Sequence, residues 1–451
     1  MDHFMNIIVN IIVFLSRFAP ILAKTGLLDY RSPKDLKDDP KLHILLVGYN
    51  GARNTGSDVR VAEIVRQLRG HFRSDEAEIS VMTMDEESLR GYFDDDVHLI
   101  HCNSIFLWDL FKACSANQAV ILCEGSTLKS KFANALTLYS CEAAGIMKVQ
   151  HKPCIAYGSE ADKMDPYLAR TVKRLCTDTY FIARTKRSLH RLRSLGLQGH
   201  MGTDAAWEFD SSSYDAWADA KLKQSGWDGT SPLLGVAPIN PFWWPVRPSL
   251  MKWIRARLTG HKALQFRLWY FFSWSKQRKQ QFDHYLDAIA QAVNEFASEH
   301  SCPVVLLGME QLDTDAVEKL RKRLTVPSSI FLSEDHDGYQ MAALLKKLSL
   351  LITSRYHAEV LSMEAEVPCV AISMDERLDG IMQEMHMDQY QLLHADDSNL
   401  YAELMLSLEY VQSHRNTIKE ELGRQAADHR ATLDQMGDFL IQWLLSSLDE
   451  V

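Results

Sequence analysis

The feature that most constrains this chain is an alternation, met twice along its length, of short apolar runs with longer stretches of helical spacing. In the first series His43 to Val47, Ile79 to Met82, Val97 to His101, Val120 to Cys123 and Cys154 to Tyr157 read as buried strands, and Val59 to Leu68 reads as the first intervening helix. A polar cluster, Asp210 to Tyr214, interrupts the pattern, and a second series starts at Leu233 to Ala237. It continues through the helix Asp283 to Glu299, the strand Val304 to Leu307, the helix Ala316 to Leu324, the strand Ile330 to Leu332 and the helix Tyr339 to Leu345, and closes on Leu348 to Thr353 and Cys369 to Ser373. Strands that return to one sheet through helices run parallel, so the expected class is α/β, with two Rossmann-like, doubly wound domains facing across a cleft. The 451 residues exceed what a single core usually supports. The expected organisation is an apolar helix and linker over 1–40, domains over 41–213 and 214–398, and helices over 399–451 that cross back to brace the first domain. In such a pair of domains a ligand sits at the carboxyl ends of the strands, which directs attention to the loops there.

Three of those loops carry chemistry. After the first strand comes Gly48-Tyr49-Asn50-Gly51-Ala52-Arg53-Asn54-Thr55-Gly56-Ser57-Asp58, whose glycines permit a tight turn and a close ligand approach ahead of a helix amino terminus. It does not follow the strict dinucleotide pattern, and glycines in such turns are often there only for the turn. Thr353-Ser354-Arg355-Tyr356-His357-Ala358-Glu359 again joins a strand to a helix. Arg355 offers a planar fork for a carboxylate or phosphate, His357 titrates near neutrality, and Ser354 suits the helix N-cap. The bland alternative is an Arg paired with a neighbouring carboxylate and a His satisfied at the core's edge. The third loop, Ser373-Met374-Asp375-Glu376-Arg377-Leu378-Asp379-Gly380, follows the next strand, so that Arg377 can share an anion with Arg355; taken alone it is an ordinary solvated turn.

Taken in order, these motifs resemble the polysaccharide pyruvyl transferase family. The likeness rests on Asn54-Thr55-Gly56, on Ser354-Arg355-Tyr356-His357 followed by Glu366-Val367-Pro368, and on Asp375 with Arg377, and it runs from about Leu42 to Gly380 apart from one insertion. Fainter matches are Arg184 with Ser188, Leu195-Gly196, and Thr203-Asp204-Ala205. The chain departs from the family at Cys123-Glu124-Gly125-Ser126, where a Gly-Gly-Gly-Ser turn is usual, at Ser159-Glu160-Ala161, and in the displacement of an acidic residue to Asp58. The resemblance implies a glycosyltransferase-B-like fold and phosphoenolpyruvate as co-substrate, with no further cofactor and no metal. Ser354, Arg355 and Arg377 then hold the donor's anionic groups, His357 with Arg355 forms the catalytic pair, and His357 protonates the enol carbon. Gly48, Asn54, Thr55, Gly56, Asp58 and Glu124 face the saccharide acceptor, Asp58 or Glu124 accepting its hydroxyl proton.

Charge and cysteine usage narrow the setting. A formal net charge of -10 argues against nucleic acid as a partner. Eight cysteines without a Cys-x-x-Cys pair fit buried thiols in a reducing, cytoplasmic compartment. No Asp or Glu occurs between Asp228 and Asp283, and the insertion 240–281 interleaves Lys and Arg with Phe242, Trp243, Trp244, Trp253, Trp269, Tyr270, Phe271, Phe272 and Trp274. That composition suits the inner face of a membrane and a lipid-linked saccharide; an ordinary packed subdomain and sugar stacking on the tryptophans are the other readings. From Met5 to Ala23 the chain is apolar, with Asp2, Asn6, Asn10, Arg17 and Lys24 on one stripe of a helix and Val13 intruding on it. Such a helix either lies in a membrane interface or docks on the protein. The rival enzyme class is a nucleotide-sugar glycosyltransferase, against which Glu359 and Glu366 are seven apart instead of eight; the rival non-enzyme is a saccharide-binding member that has lost activity. Oligomeric state does not follow from the sequence.

Overall fold

The structure is a computed structural model that describes residues 2–32, 34, 41–103, 106–248, 251, 258, 270–272 and 275–449. Its first domain holds a seven-stranded sheet built from β1 (Leu42–Val47), β2 (Ala77–Thr83), β3 (Val97–His101), β4 (Ala119–Leu122), β5 (Cys154–Ser159), β6 (Thr179–Ala183) and β7 (Gln198–Met201), in the order β3-β2-β1-β4-β5-β6-β7. The second holds six strands, β8 (Leu234–Ala237), β11 (Val304–Gly308), β12 (Ser328–Leu332), β13 (Leu350–Thr353), β14 (Cys369–Ser373) and β15 (Leu392–His394), in the order β12-β11-β8-β13-β14-β15. Between β8 and β11 lies a short antiparallel pair, β9 (Arg247–Pro248) with β10 (Tyr270–Phe271). Both large sheets are parallel throughout. The chain is therefore the α/β pair of doubly wound domains that its alternating pattern predicts.

Central strands are buried on both faces, which is why they read as continuous apolar runs. The strands that sequence reading misses are β6, β7, β15 and the β9–β10 pair. β7 is a half-exposed edge, Gln-Gly-His-Met, and β15 is three residues long, so neither carries an apolar run. The helix Lys276–Glu299 begins seven residues before the expected Asp283, because its first two turns are polar and are held by Ser275, whose side chain accepts from Arg278 N–H.

Topology fixes where the loops meet. In the first sheet the strand order reverses between β1 and β4, and in the second between β8 and β13. Loops leaving the carboxyl ends of neighbouring strands diverge at such a switch point and leave a crevice. The Gly48 loop and Cys123 to Ser126 flank the first crevice, and Pro238 to Asn240 and Ser354 to His357 flank the second.

The domains are in direct contact. Thr55 N–H donates to the Met309 carbonyl at 2.9 Å, the Ser333 hydroxyl donates to the Arg53 carbonyl at 2.7 Å, and Gly338 N–H donates to the Tyr92 hydroxyl. The long helix Arg415–Asp449 then returns to the first domain. There His429 stacks on the fully buried Trp207 with ring centroids 4.3 Å apart and meets Thr203 Oγ1 at 2.7 Å. This helix ties the carboxyl end of the chain to the turn at Thr203-Asp204-Ala205.

Candidate functional site

One cavity of about 100 Å³ lies between the two sheets at their carboxyl ends. Its wall brings together Asn54, Gly56, Ser57, Glu124, Ser126, Phe132, Trp244, Glu310, Arg355, Tyr356, His357 and Arg377. Six residues singled out from the sequence, Asn54, Gly56, Glu124, Arg355, His357 and Arg377, thus share one space although 323 residues separate the first from the last (377 minus 54). A larger cavity, of about 430 Å³, opens at the amino-terminal ends of β8, β11 and β12, and no Asp, Glu, His, Lys or Arg is on its wall.

Three helix amino termini point into the smaller cavity: Thr55–His71, Tyr356–Glu364 and Glu376–Glu384, each contributing first-turn or capping residues to the wall. Their partial positive charge and unpaired N–H groups favour an anion. Asn54 caps the first helix by accepting from Ser57 N–H at 3.2 Å. Asp375 caps the third through Arg377 N–H at 3.0 Å and also takes the Arg377 guanidinium on both oxygens. Burial alone would raise the Asp375 carboxyl, but Arg377 holds it far below the usual carboxylate range.

Arg355 is held still more firmly. Its Nε lies 2.9 and 2.8 Å from the two Asp313 oxygens, Nη2 also meets Asp313, and Nη1 meets Glu310 at 3.0 Å. The carboxylate pairing weighed as the bland alternative is therefore present. A guanidinium has five N–H donors and these contacts need three, so the pairing orients Arg355 without exhausting it.

His357 approaches from the second domain onto the first turn of Thr55–His71. A Cβ placed on Gly56 would stand 1.9 Å from His357 Nδ1, an impossible overlap, so the glycine that sequence reading assigns to ligand approach makes room for His357 itself. Gly56→Ala is expected to force the ring aside, costing about 1–3 kcal/mol of stability together with most activity; thermal melting and an activity assay check this. His357 Nε2 stands 3.6 Å from Asp204 Oδ1, an ion-pair distance longer than a hydrogen bond. Burial lowers the His357 pKa below its ordinary value, and Asp204 opposes the shift.

Asp204 is the hub of a buried network that reaches the cavity from behind. Arg60 Nη1 lies 2.5 Å and Arg184 Nη1 2.7 Å from Asp204 Oδ2, and Arg184 Nη2 lies 2.9 Å from Glu160, which also takes Lys129 at 2.8 Å. Against the penalty of burial, Arg60, His357 and Arg184 keep Asp204 ionised, and Lys129, Arg184 and Arg377 do the same for Glu160. The guanidinium of Arg184 also sits 4.1 Å from the centre of the Tyr356 ring. Of this network the sequence marks only Arg184, Glu160 and the Asp204 turn. Arg60 gives no local signal, since Glu63 and Gln67 share its face of the helix and Arg66 lies in the same run.

Gly48, Thr55, Ser354 and Asp58 are not on the cavity wall. Gly48 packs against Cys123 behind the loop, and Thr55 spends its N–H on Met309. The Ser354 hydroxyl lies 2.8 Å from the Tyr285 hydroxyl, away from the cavity wall. The N-cap position belongs to Arg355, not Ser354, with Thr353 Oγ1 accepting Arg355 N–H at 2.9 Å; the helix starts one residue later than expected. Asp58 is buried and accepts from Gly51 N–H at 3.0 Å, so it supports the loop from inside, while Glu124 stands on the wall and accepts from Ser57 and Ser126.

Burial raises the Asp58 pKa to about 7, with Gly51 N–H and Arg53 opposing. A folded-state pKa above the unfolded one costs stability as pH rises from the unfolded value towards the folded one. Asp58→Asn, which keeps the acceptor for Gly51, is therefore expected to raise the melting temperature at pH 8, with the gain shrinking as the pH falls towards 4.

Of the aromatic and basic insertion, Lys252, Trp253, Arg255, Arg257, Lys262, Arg267, Trp269 and Trp274 lie outside the described residues. Its near end packs inward: Trp243 and Trp244 are buried with Ile239, Val246, Leu312 and Ala133, and Trp244 meets Phe132 edge to face at 4.9 Å on the cavity wall.

This arrangement defines a class, the two-domain glycosyltransferase-B-like α/β proteins with a cleft between facing sheets. UDP-GlcNAc 2-epimerase from Neisseria meningitidis shares the fold at a TM-score of 0.53 and 8% identity, over 90% of this chain and 99% of that one. Anabaena HepE in complex with UDP-glucose matches at 0.54 and 13%, over 89% and 100%. A glycosyltransferase from Rickettsia africae matches at 0.53 and 12%, over 91% and 100%. Within that class the chain belongs to the polysaccharide pyruvyl transferase family, whose profile matches residues 54–376. No curated protein matches it in sequence.

Proposed function

We propose that this protein transfers the pyruvyl carbon skeleton of phosphoenolpyruvate to a hydroxyl of a saccharide, free or lipid-linked, in the cytoplasm during cell-surface polysaccharide synthesis. The observation that carries the reading is the convergence of three helix amino termini with Arg355, Arg377 and His357 on a cavity of about 100 Å³. Phosphoenolpyruvate brings a carboxylate and a phosphate, which match two fixed guanidiniums and helix N–H groups. Eight free, buried cysteines are in keeping with a reducing compartment.

The chemistry follows from the positions. Protonated His357 delivers its proton to C3 of the enol while the saccharide oxygen bonds to C2, and Glu124 accepts the hydroxyl proton. The bond from C2 to the phosphate oxygen then breaks and phosphate leaves with its electron pair, its charge met by Arg377 and Arg355. Closure of a second hydroxyl on C2, its proton passing to the now neutral His357, gives a ketal; return of a proton from C3 to His357 gives an enol ether. Asp204, 3.6 Å from Nε2, stabilises the imidazolium before transfer. Phe132 carries the Arg377 guanidinium 4.5 Å from its ring centre and packs on Trp244, so the two rings hold Arg377 at the wall and give it an apolar border.

The test is phosphate release from phosphoenolpyruvate across a panel of free and lipid-linked saccharides. Release that requires one acceptor, with pyruvate carbon appearing on that acceptor, supports the proposal. Glycosyl transfer from a UDP-sugar to the same panel, without phosphate release, would replace it.

A further inference from the structure

The amino-terminal helix is mounted the wrong way round for a soluble surface. Helix Asp2–Leu15 continues through a 3-10 turn, Ser16–Phe18, into Ala19–Lys24. The side facing the protein holds Asn6, Val9, Val13 and Ser16, all buried, and Asn6 donates to Thr171 Oγ1 within the interface. Val13 sits where a side chain on Gly145 would collide with it, so that glycine admits the helix closely. The opposite side presents Ile7, Ile11, Phe14, Phe18 and Ile21, each between 45% and 59% exposed. Surface helices ordinarily hide the apolar stripe and show the polar one. Trp108, on the neighbouring helix Leu107–Ala116, is 48% exposed as well.

Cations border this stripe in a chain whose net charge is -10, with Asp109 the one acidic residue on the Trp108 helix. Arg17 lies beside Phe14, Lys24 ends the helix, and Lys112 lies beside Trp108. Helix Pro166–Leu175, which supplies Thr171, carries Arg170, Lys173 and Arg174 and no acidic residue.

We propose that this face docks on an anionic lipid bilayer, with the helix lying in the plane of the headgroups. Apolar and aromatic side chains enter the acyl boundary while the flanking cations meet lipid phosphates. Segment Met5–Lys24 is long and apolar enough to cross a membrane, with a mean hydropathy of 1.9. Its buried Asn6 and its contact with Gly145 hold it along the protein instead. A second copy of the chain fits less well, since a two-fold contact would set this cationic rim against itself. The inference is independent of which reaction the cleft performs.

The test is co-sedimentation of the full chain with phosphatidylcholine vesicles, with and without roughly a quarter phosphatidylglycerol. The wild type is expected to pellet with the anionic vesicles and to be released by salt. Two variants probe the two components: Ile11→Ser with Phe14→Ser and Phe18→Ser, and Arg170→Glu with Lys173→Glu. All five positions are exposed, so both proteins are expected to melt as the wild type does, and each is expected to lose about tenfold or more in vesicle partitioning. A wild type that stays in the supernatant with anionic vesicles would overturn the proposal, as would variants that bind undiminished. So would light scattering that shows a wild-type dimer dissociated by the triple serine variant.

Discussion

Asp204→Ala is expected to lose about 3–5 kcal/mol of stability, enough to leave the protein unfolded or aggregated at physiological temperature. The carboxylate is fully buried, and its removal leaves Arg60 with no carboxylate partner and Arg184 with Glu160 alone, both guanidiniums being almost inaccessible. Uncompensated buried charges of this kind cost far more than the pair itself contributes. Asp204→Asn keeps the volume and an acceptor but not the charge, so it should fall between alanine and wild type. Chemical denaturation of the three proteins checks the order. If Asp204→Ala unfolded at the wild-type denaturant midpoint, the network would not have the weight its geometry assigns.

His357→Gln is expected to lower turnover by about 10²–10⁴-fold while leaving phosphoenolpyruvate affinity nearly unchanged. The side chain is only partly buried, and glutamine can occupy the space above Gly56, so the fold should persist. An acid must be protonated to act, and burial holds the His357 pKa below the ordinary histidine value. Activity of the wild type is therefore expected to fall as pH rises through a limb displaced to the acid side of a free histidine, and the glutamine variant should lack that limb. A variant that lost stability and kept turnover would reduce His357 to a packing residue.

The fold was legible wherever burial writes itself as composition. β1, β4, β11 and β14 are enclosed on both faces and show as unbroken apolar runs, whereas β7 and β15, at a sheet edge, must satisfy water and leave no such trace. Of the site, the three loops were readable because each sits at a strand's carboxyl end. Which side chain turns inward was not: Ser354 and Asp58 lie beside site residues in sequence, yet one turns to Tyr285 and the other to Gly51. The Asp204 network was hidden for a different reason. Its members come from separate strands and helices, with 144 residues between Arg60 and Asp204, and no local periodicity reports a pairing over that separation. The amino-terminal stripe was visible as a pattern, but its direction depended on Thr171, a partner that only the tertiary fold supplies.

The most direct measurement is calorimetric titration of phosphoenolpyruvate, beside a UDP-sugar, into the wild type and the Arg355→Ala and Arg377→Ala variants. The account predicts saturable phosphoenolpyruvate binding to the wild type, a loss of about tenfold or more in each variant as a charge-assisted contact disappears, and no comparable UDP-sugar binding. Tight UDP-sugar binding with none of phosphoenolpyruvate, or phosphoenolpyruvate binding unaffected by either substitution, would contradict it.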